Sequence, residues 1–447
     1  MSALQTDIVL AVFAAVILLI AFNLIDMAVA ALIGVCILIG LGILDEDDLT
    51  SAARSAAGPL SLLFGGMVVA RLLSTTGLFD VIGEYYLRAT RGSGRRFLLL
   101  LVALVAPLCA FLPNATTVIL LAPIVIRVAT ALEADFVGPL VLMAIVSNSA
   151  GLLTLVGDPA TFLVGSSIGM TFGEYLRRVS LGGVIAVVIV LPLLPVLMPG
   201  LWKLQRPPAG PVPGKGLDKP VYAACSIGVL LTMMVLFVFG ERLPTHVVPP
   251  TVALIASALA LLVGYGARLE PTENVLRDVD WKTLLFLGSI FCLVQAVTKT
   301  GVLQLMALQL YQSFGTRLTL VALALIAAIA LLSSLLANVP VAAAAILMVK
   351  GYLVAAEAVP DAALGAHFTQ WPAATIPVFV GMMFGATLGG NATLIGASAN
   401  IVAAGICARE GKPVTFARFL RFGLPVTVVQ LVVSALYVLV LTRIMHG

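Results

Sequence analysis

Apolar stretches long enough to cross a bilayer recur from one end of this chain to the other. Two of the longest are interrupted at their middle by an asparagine with a proline close by. A helical span needs roughly 20 apolar residues. That window places spans near 7–23, 27–43, 57–75, 140–166, 180–200, 221–240, 250–266, 282–299, 375–407 and 422–442. Charged residues make up 10% of the 447, against about 25% in soluble domains. A soluble multidomain fold is excluded. The first run, 8–24, has no basic segment ahead of it and is followed at once by a second span. It therefore reads as a retained helix rather than a signal peptide.

The two interrupted stretches, 98–130 and 318–350, are each long enough to enter and leave the membrane on one side. Their breaks read Pro113-Asn114-Ala115-Thr116 and Asn338-Val339-Pro340-Val341. Broken backbone at membrane depth survives only where protein or a water-filled cavity satisfies it. Both stretches are read as re-entrant hairpins with their tips inside the protein.

The two halves repeat. Leu62-Leu63-Phe64-Gly65-Gly66, Thr76-Gly77-Leu78, Asn114 and Thr154-Leu155-Val156-Gly157 mark the first. Leu284-Leu285-Phe286-Leu287-Gly288, Thr300-Gly301-Val302, Asn338 and Thr393-Leu394-Ile395-Gly396 follow in the same order. Residues 1–202 form one copy, with hairpin 98–130 and broken helix 140–166. Residues 221–447 form the other, with hairpin 318–350 and broken helix 375–407, and 203–220 reads as a cytoplasmic linker. Each copy holds five spans and a hairpin, and an odd number of crossings inverts the second copy. With the N-terminus outside, 16 Lys/Arg fall on the inner side and 8 on the outer, with Arg71 within a span. That agrees with the positive-inside rule, although Arg177-Arg178 lie outside. The expected fold is an all-α polytopic membrane protein of two inverted repeats.

Inverted repeats with broken helices bind substrate near the bilayer midplane, between half-helix ends. Four elements are expected to meet there. The first tip offers Asn114, Thr116 and Thr117, and the second Asn338. The broken spans add Asn148, Thr154 and Asp158 from one copy, and Asn391, Thr393, Ser398 and Asn400 from the other. Asn, Ser and Thr supply donors and acceptors together. Isolated Ser and Thr often only glue membrane helices; four clusters at matched positions point to a binding site. Asp158 stands apart, because an ionisable group at membrane depth is a functional hypothesis by default. It is the candidate proton carrier. As Asp before Pro159 it is also a good helix N-cap, and the two roles are compatible. His246, His367 and His446 lie near loops or the terminus and make no proton relay. The five cysteines show no paired or zinc spacing. No metal, cofactor or nucleic-acid partner is implied.

These residues carry a resemblance. Phe111-Leu112-Pro113-Asn114-Ala115-Thr116-Thr117-Val118, then Ser147-Asn148 and Thr154-Leu155-Val156-Gly157-Asp158-Pro159, resemble the arsenite permease/sodium–proton antiporter (ArsB/NhaD) family. The second half repeats the pattern at Gly390-Asn391-Ala392-Thr393-Leu394-Ile395-Gly396-Ala397-Ser398-Ala399-Asn400. That family belongs to the ion transporter superfamily, with the divalent anion–sodium symporters. The resemblance implies an elevator-type secondary transporter of a bacterial inner membrane, usually a homodimer. It also implies that Asn114, Thr116, Asn338, Asp158, Thr393 and Asn400 touch substrate or ion.

The departures narrow the cargo. Pro113 stands where sodium–proton members carry Asp, the tips lack Ser-Asn-Thr, and Gly-Asp-Pro-Pro-Asn becomes Gly157-Asp158-Pro159-Ala160-Thr161. Each change removes an oxygen ligand or a charge that sodium would want. The expected function is proton-coupled efflux of a small inorganic solute, arsenite or antimonite. The site is expected to offer amides and hydroxyls, with no fixed cation for a dianion. Cation–proton antiport or anion transport on the same fold is the alternative, and a channel a remote one. An enzyme is not expected: a single deep aspartate and a Gly396-Ala397-Ser398-Ala399-Asn400 without its last Gly fit neither intramembrane protease pattern.

Overall fold

The computed structural model describes residues 2–21, 24–206, 220–266, 271–365 and 368–446. Among them the regular structure is helical, apart from one isolated antiparallel bridge, Ser93 to Gln205. Ten helices are long and apolar enough to cross a membrane. The chain is a multi-pass membrane protein.

In the first half, α1 (Ala3–Ala21), α2 (Met27–Gly40) and α3 (Glu46–Thr75) lead to a shorter α4 (Leu78–Thr90). The first hairpin follows as α5 (Gly94–Cys109) and α6 (Asn114–Ala131), then the broken pair α7 (Val137–Ala150) and α8 (Pro159–Ser167). A short α9 (Phe172–Arg178) precedes the last crossing, α10 (Ser180–Val188), α11 (Leu194–Leu197) and α12 (Pro199–Lys203).

The second half repeats the series. It runs α13 (Pro220–Phe239), α14 (Pro249–Gly266), α15 (Thr272–Arg277), α16 (Trp281–Lys299) and α17 (Val302–Phe314). The second hairpin is α18 (Leu318–Leu335) with α19 (Asn338–Ala355), the broken pair α20 (Ile376–Gly389) with α21 (Ser398–Arg409), and the last crossing α22 (Phe416–His446).

The copies are inverted. α3 and α16 are sequence equivalents, yet they lie antiparallel. Lys299 at the end of α16 donates to Asp48 at the start of α3 at 2.5 Å. At the other end Arg71 of α3 pairs with Asp278, just ahead of α16, at 2.9 Å. Packing is reciprocal as well: α3 rests on α14 and α16 on α2, while α8 rests on α19 and α21 on α6.

Several boundaries depart from the sequence reading for local reasons. α3 begins at Glu46, well ahead of 57, because Asp45 and Asp48 form a reciprocal capping box and Glu46 and Asp47 fill the first turn. Acidic groups there favour the helix start, a signal that a hydropathy window cannot see. The segment after the third span folds as α4, and its counterpart as α17. Each follows a glycine in the left-handed region, Gly77 (φ 75°) and Gly301 (φ 77°). The span expected at 180–200 is one continuous α-helix only to Val188 and goes on in short pieces, because Pro192 and Pro195 remove backbone donors beyond it. Of the linker 203–220, Lys203 closes α12 and Pro220 opens α13. Residues 207–219, and His367, lie outside the described residues.

Candidate functional site

Each hairpin turns in a few residues, and both tips are fastened in the same way. The Thr154 hydroxyl donates to the Ala110 carbonyl, and the Thr393 hydroxyl to the Ser334 carbonyl, at equivalent positions of the two repeats. Thr393 also accepts from the Gly396 N–H at 3.1 Å. The loops that break the spans fold tightly enough to need glycine. A Cβ on Gly157 would lie 2.8 Å from the Gly151 oxygen, and one on Gly396 2.7 Å from the Gly390 oxygen.

Within this frame two short polar chains link the halves, one through Asp158 and one through Asn148. Asp158 caps α8, its Oδ2 accepting from the backbone of Ala160 at 3.0 Å and Thr161 at 3.3 Å. Its Oδ1 accepts from Asn338 Nδ2, on the opposite hairpin tip, at 2.9 Å. The Asn114 side-chain amide lies 3.5 Å from Asn148 Oδ1, and Asn148 donates to Asn400 at 3.2 Å. Asn400 in turn donates to the carbonyls of Gly390 and Thr393, both at 2.8 Å. The hydroxyls of Thr161 and Thr387 lie 3.2 Å apart. Gly151 makes the approach of Asp158 and Asn114 possible. A Cβ there would meet Asp158 Cβ at 2.8 Å and Asn114 Nδ2 at 3.4 Å.

The repeat explains the pairs. The spacing of Thr154 and Thr393 places Asn148 in register with Thr387 and Thr161 with Asn400. Asn148–Asn400 and Thr387–Thr161 are thus the same contact made twice, once by amides and once by hydroxyls. Asp158 is in register with Ala397, so the carboxyl has no counterpart. Among the described residues, Asn114 Oδ1 is buried with no hydrogen-bond partner, as is Asn391 Oδ1.

Seven of the residues singled out in the sequence belong to this frame: Asn114, Asn148, Asp158, Asn338 and Asn400 in the two polar chains, Thr154 and Thr393 as fasteners. Four do not join it. Asn391 turns toward α22, donating to Ser149 at 3.0 Å and Gln430 at 2.9 Å. Gln430 donates onward to the Ala186 carbonyl at 2.7 Å, so this knot ties α20 to α10 and α22. Thr117 donates to the Pro113 carbonyl of its own turn at 3.2 Å. Ser398 is exposed in the first turn of α21, and Thr116 is half-buried beside the tip. Thr161 and Thr387 are not singled out by the sequence reading; aligning the two repeats residue by residue finds them. Nothing in the apolar sequence of α22 marks Gln430.

Among the described residues no lysine or arginine reaches the tips. Arg127 and Lys350 sit on the return arms α6 and α19, roughly 20 and 18 Å along the helix from the tip asparagines at 1.5 Å per residue. Lys350 is buried against the Trp371 ring, 5.4 Å from its centroid. Between the first tip, α3 and α13 lies an apolar crevice lined by Leu62, Gly66, Phe111, Pro113, Pro159 and Phe237. A Cβ on Gly66 would come within 2.5 Å of Pro113 Cδ.

A profile of the CitMHS family, described as "Citrate transporter", matches residues 17–367. The chain belongs to the CitMHS family. The match includes both hairpins and the first broken span. The chain is 42% identical over 431 residues to an uncharacterized transporter of Synechocystis, covering 96% of each. It is 30% identical over 433 residues to an uncharacterized transporter of Mycobacterium tuberculosis, covering 95% of this chain and 96% of that one. The human P protein is 27% identical over 518 residues, covering 98% of this chain and 60% of that protein. Among solved structures, the YdaH transporter of Alcanivorax borkumensis, described as having an unusual topology, superposes with a TM-score of 0.55 at 14% identity over 89% of each chain. That likeness concerns the fold alone. The family is thus CitMHS, within the broader group that the hairpin motifs indicated, and the chain is a secondary membrane transporter of that family.

Proposed function

We propose that this CitMHS member is a proton-coupled elevator transporter, with Asp158 as the proton carrier and the cargo held between the two hairpin tips. The observation that carries the reading is the Asp158–Asn338 hydrogen bond at 2.9 Å. It joins the unmatched carboxyl of one repeat to the tip of the other. A proton on Oδ1 removes the acceptor that Asn338 uses, so proton uptake and rearrangement of the second tip are one event. The moving body comprises the hairpins and broken spans; α1–α3 and α13–α16 form the scaffold. The ion pairs Lys299–Asp48, Arg71–Asp278 and Lys282–Asp26 join scaffold to scaffold, while Asp135, between α6 and α7, pairs with Lys412 and Arg418 around the start of α22. The surface between the bodies at Gly66 and Pro113 is apolar, as a sliding contact requires.

For the cargo, amides and hydroxyls around one carboxyl, with no cation at the tips, suit a neutral trihydroxide such as arsenite or antimonite, exported against inward proton flow. A carboxylate anion is the second reading, favoured by the "Citrate transporter" description of the family. The test is flux in proteoliposomes with arsenite, antimonite, citrate and sodium presented in turn under an imposed pH gradient. Arsenite or antimonite movement against its own gradient supports the first reading. Citrate movement alone replaces it, and sodium-driven flux without proton movement removes Asp158 from the coupling step.

A further inference from the structure

The inner end of the first hairpin carries a basic cleft that the transport cycle does not use. Arg91, Ser93, Arg96, Gln205 and Arg206 line a space of about 400 Å³ at the level where α4, α5 and α12 end. The Ser93–Gln205 bridge, the Arg206 N–H bond to the Gly92 carbonyl at 2.9 Å and the Gly94 N–H bond to the Leu204 carbonyl at 3.0 Å hold its two walls together.

Three features show positive charge gathered there against local preference. α5 opens Gly94-Arg95-Arg96 with no acid in its first turn, so two cations stand at the positive end of a helix dipole, where anions are favoured. Arg91 adopts φ 45°, a left-handed conformation that a non-glycine residue holds only at an energetic cost. Among the described residues a single acid answers the group: Glu133 pairs with Arg206. Arg95 is spent over the Trp202 ring, 5.3 Å from its centroid, leaving Arg91 and Arg96 exposed.

We propose that this cleft binds a phosphate-bearing anion, and that its source is the headgroup of an anionic lipid of the inner leaflet. Guanidinium groups recognise phosphate in paired hydrogen bonds. The cleft lies on the inner side by the charge distribution, at the depth of helix ends, beside an interfacial tryptophan. A headgroup there would sit between the base of α5 and the end of α12, steadying the first hairpin where it meets the close of its own repeat.

The test uses the full-length protein in detergent, titrated separately with phosphatidylglycerol, phosphatidylcholine and inorganic phosphate, and followed by native mass spectrometry and thermal shift. Phosphatidylglycerol is expected to bind and raise Tm, and phosphatidylcholine not. The double variant Arg91→Ala/Arg96→Ala should weaken phosphatidylglycerol binding roughly thirtyfold, the equivalent of two juxtamembrane charges. Arg421→Ala, an exposed inner-side arginine elsewhere, should leave it unchanged. Stabilisation by inorganic phosphate alone, lost in the double variant, keeps the phosphate chemistry and overturns the lipid source. Equal binding of both lipids, or full binding by the double variant, overturns the site. If the double variant yields no folded protein, the single Arg96→Gln decides by the same titration.

Discussion

The two oxygens of Asp158 face different partners, which would let it hold a fixed role as helix cap beside the proposed role as proton carrier. Oδ2 is committed to the backbone of Ala160 and Thr161, and Oδ1 to Asn338. Asparagine caps helices as well as aspartate does, so Asp158→Asn should fold normally while losing the titrating group. Gly151 is the second sensitive position. A methyl group there would fall 2.8 Å from Asp158 Cβ, and overpacking of this kind costs about 1–3 kcal/mol. Gly151→Ala should lower thermal stability by that order and abolish flux; a variant with normal flux would show that the close approach of Asp158 and Asn114 is not needed. Some of this was readable from sequence and some was not. An Asp before Pro inside an apolar run is visible in one dimension. The turning of Asn391 away from the tips is not, because its partner Gln430 lies on a distant helix with no local signal.

At the scale of elements, the hairpins were legible because polar residues at membrane depth have few explanations, and their tips fall where Asn114 and Asn338 stand. What sequence missed were features decided by capping and proline rather than hydropathy: the early start of α3 at Glu46 and the broken end of the first half after Val188. The paired fasteners make an element-scale prediction. Thr154→Val should loosen the first tip and Thr393→Val the second, with losses of similar size because the bonds are equivalent. Hydrogen exchange at 110–114 and 334–338 checks this, and unaltered exchange in both variants would deny the fasteners their role. The loop between α6 and α7 is latched to the start of α22. Partial burial disfavours the charge on Asp135, but hydrogen bonds from Lys412 and Arg418 outweigh it and hold its carboxyl below the usual carboxylate value. A lowered folded value means stability that is present above the unfolded value and lost as pH falls through the folded one. The thermal-stability gap between the parent and Asp135→Asn should therefore be constant from pH 5 to 8, and close below about pH 4. A gap that widens on acidification would contradict the latch.

Over the whole molecule, inversion could be argued from sequence because the crossings of each copy are odd in number and basic residues cluster on one side. The antiparallel contact of α3 with α16 gives it a physical form, with ion pairs at both ends. The α3–α16 pair is thereby clasped at both ends, while the surface of α3 toward Pro113 stays apolar and glycine-lined. If the hairpin group slides along it, tethering the two must stop transport. With Leu62→Cys and Phe111→Cys in a background without native cysteines, a short bifunctional thiol reagent should arrest flux, and a reducible reagent should allow recovery. Undiminished flux in the cross-linked protein would mean that the two groups do not move apart.

Proton movement through Asp158 is tested most directly by imposing a pH gradient on proteoliposomes and following internal pH while cargo is added. The parent protein should dissipate the gradient only when cargo is present. Asp158→Asn, with its folding confirmed by an unchanged melting curve, should leave the gradient intact under the same conditions. Cargo-dependent proton flux in Asp158→Asn equal to that of the parent would place the proton pathway elsewhere.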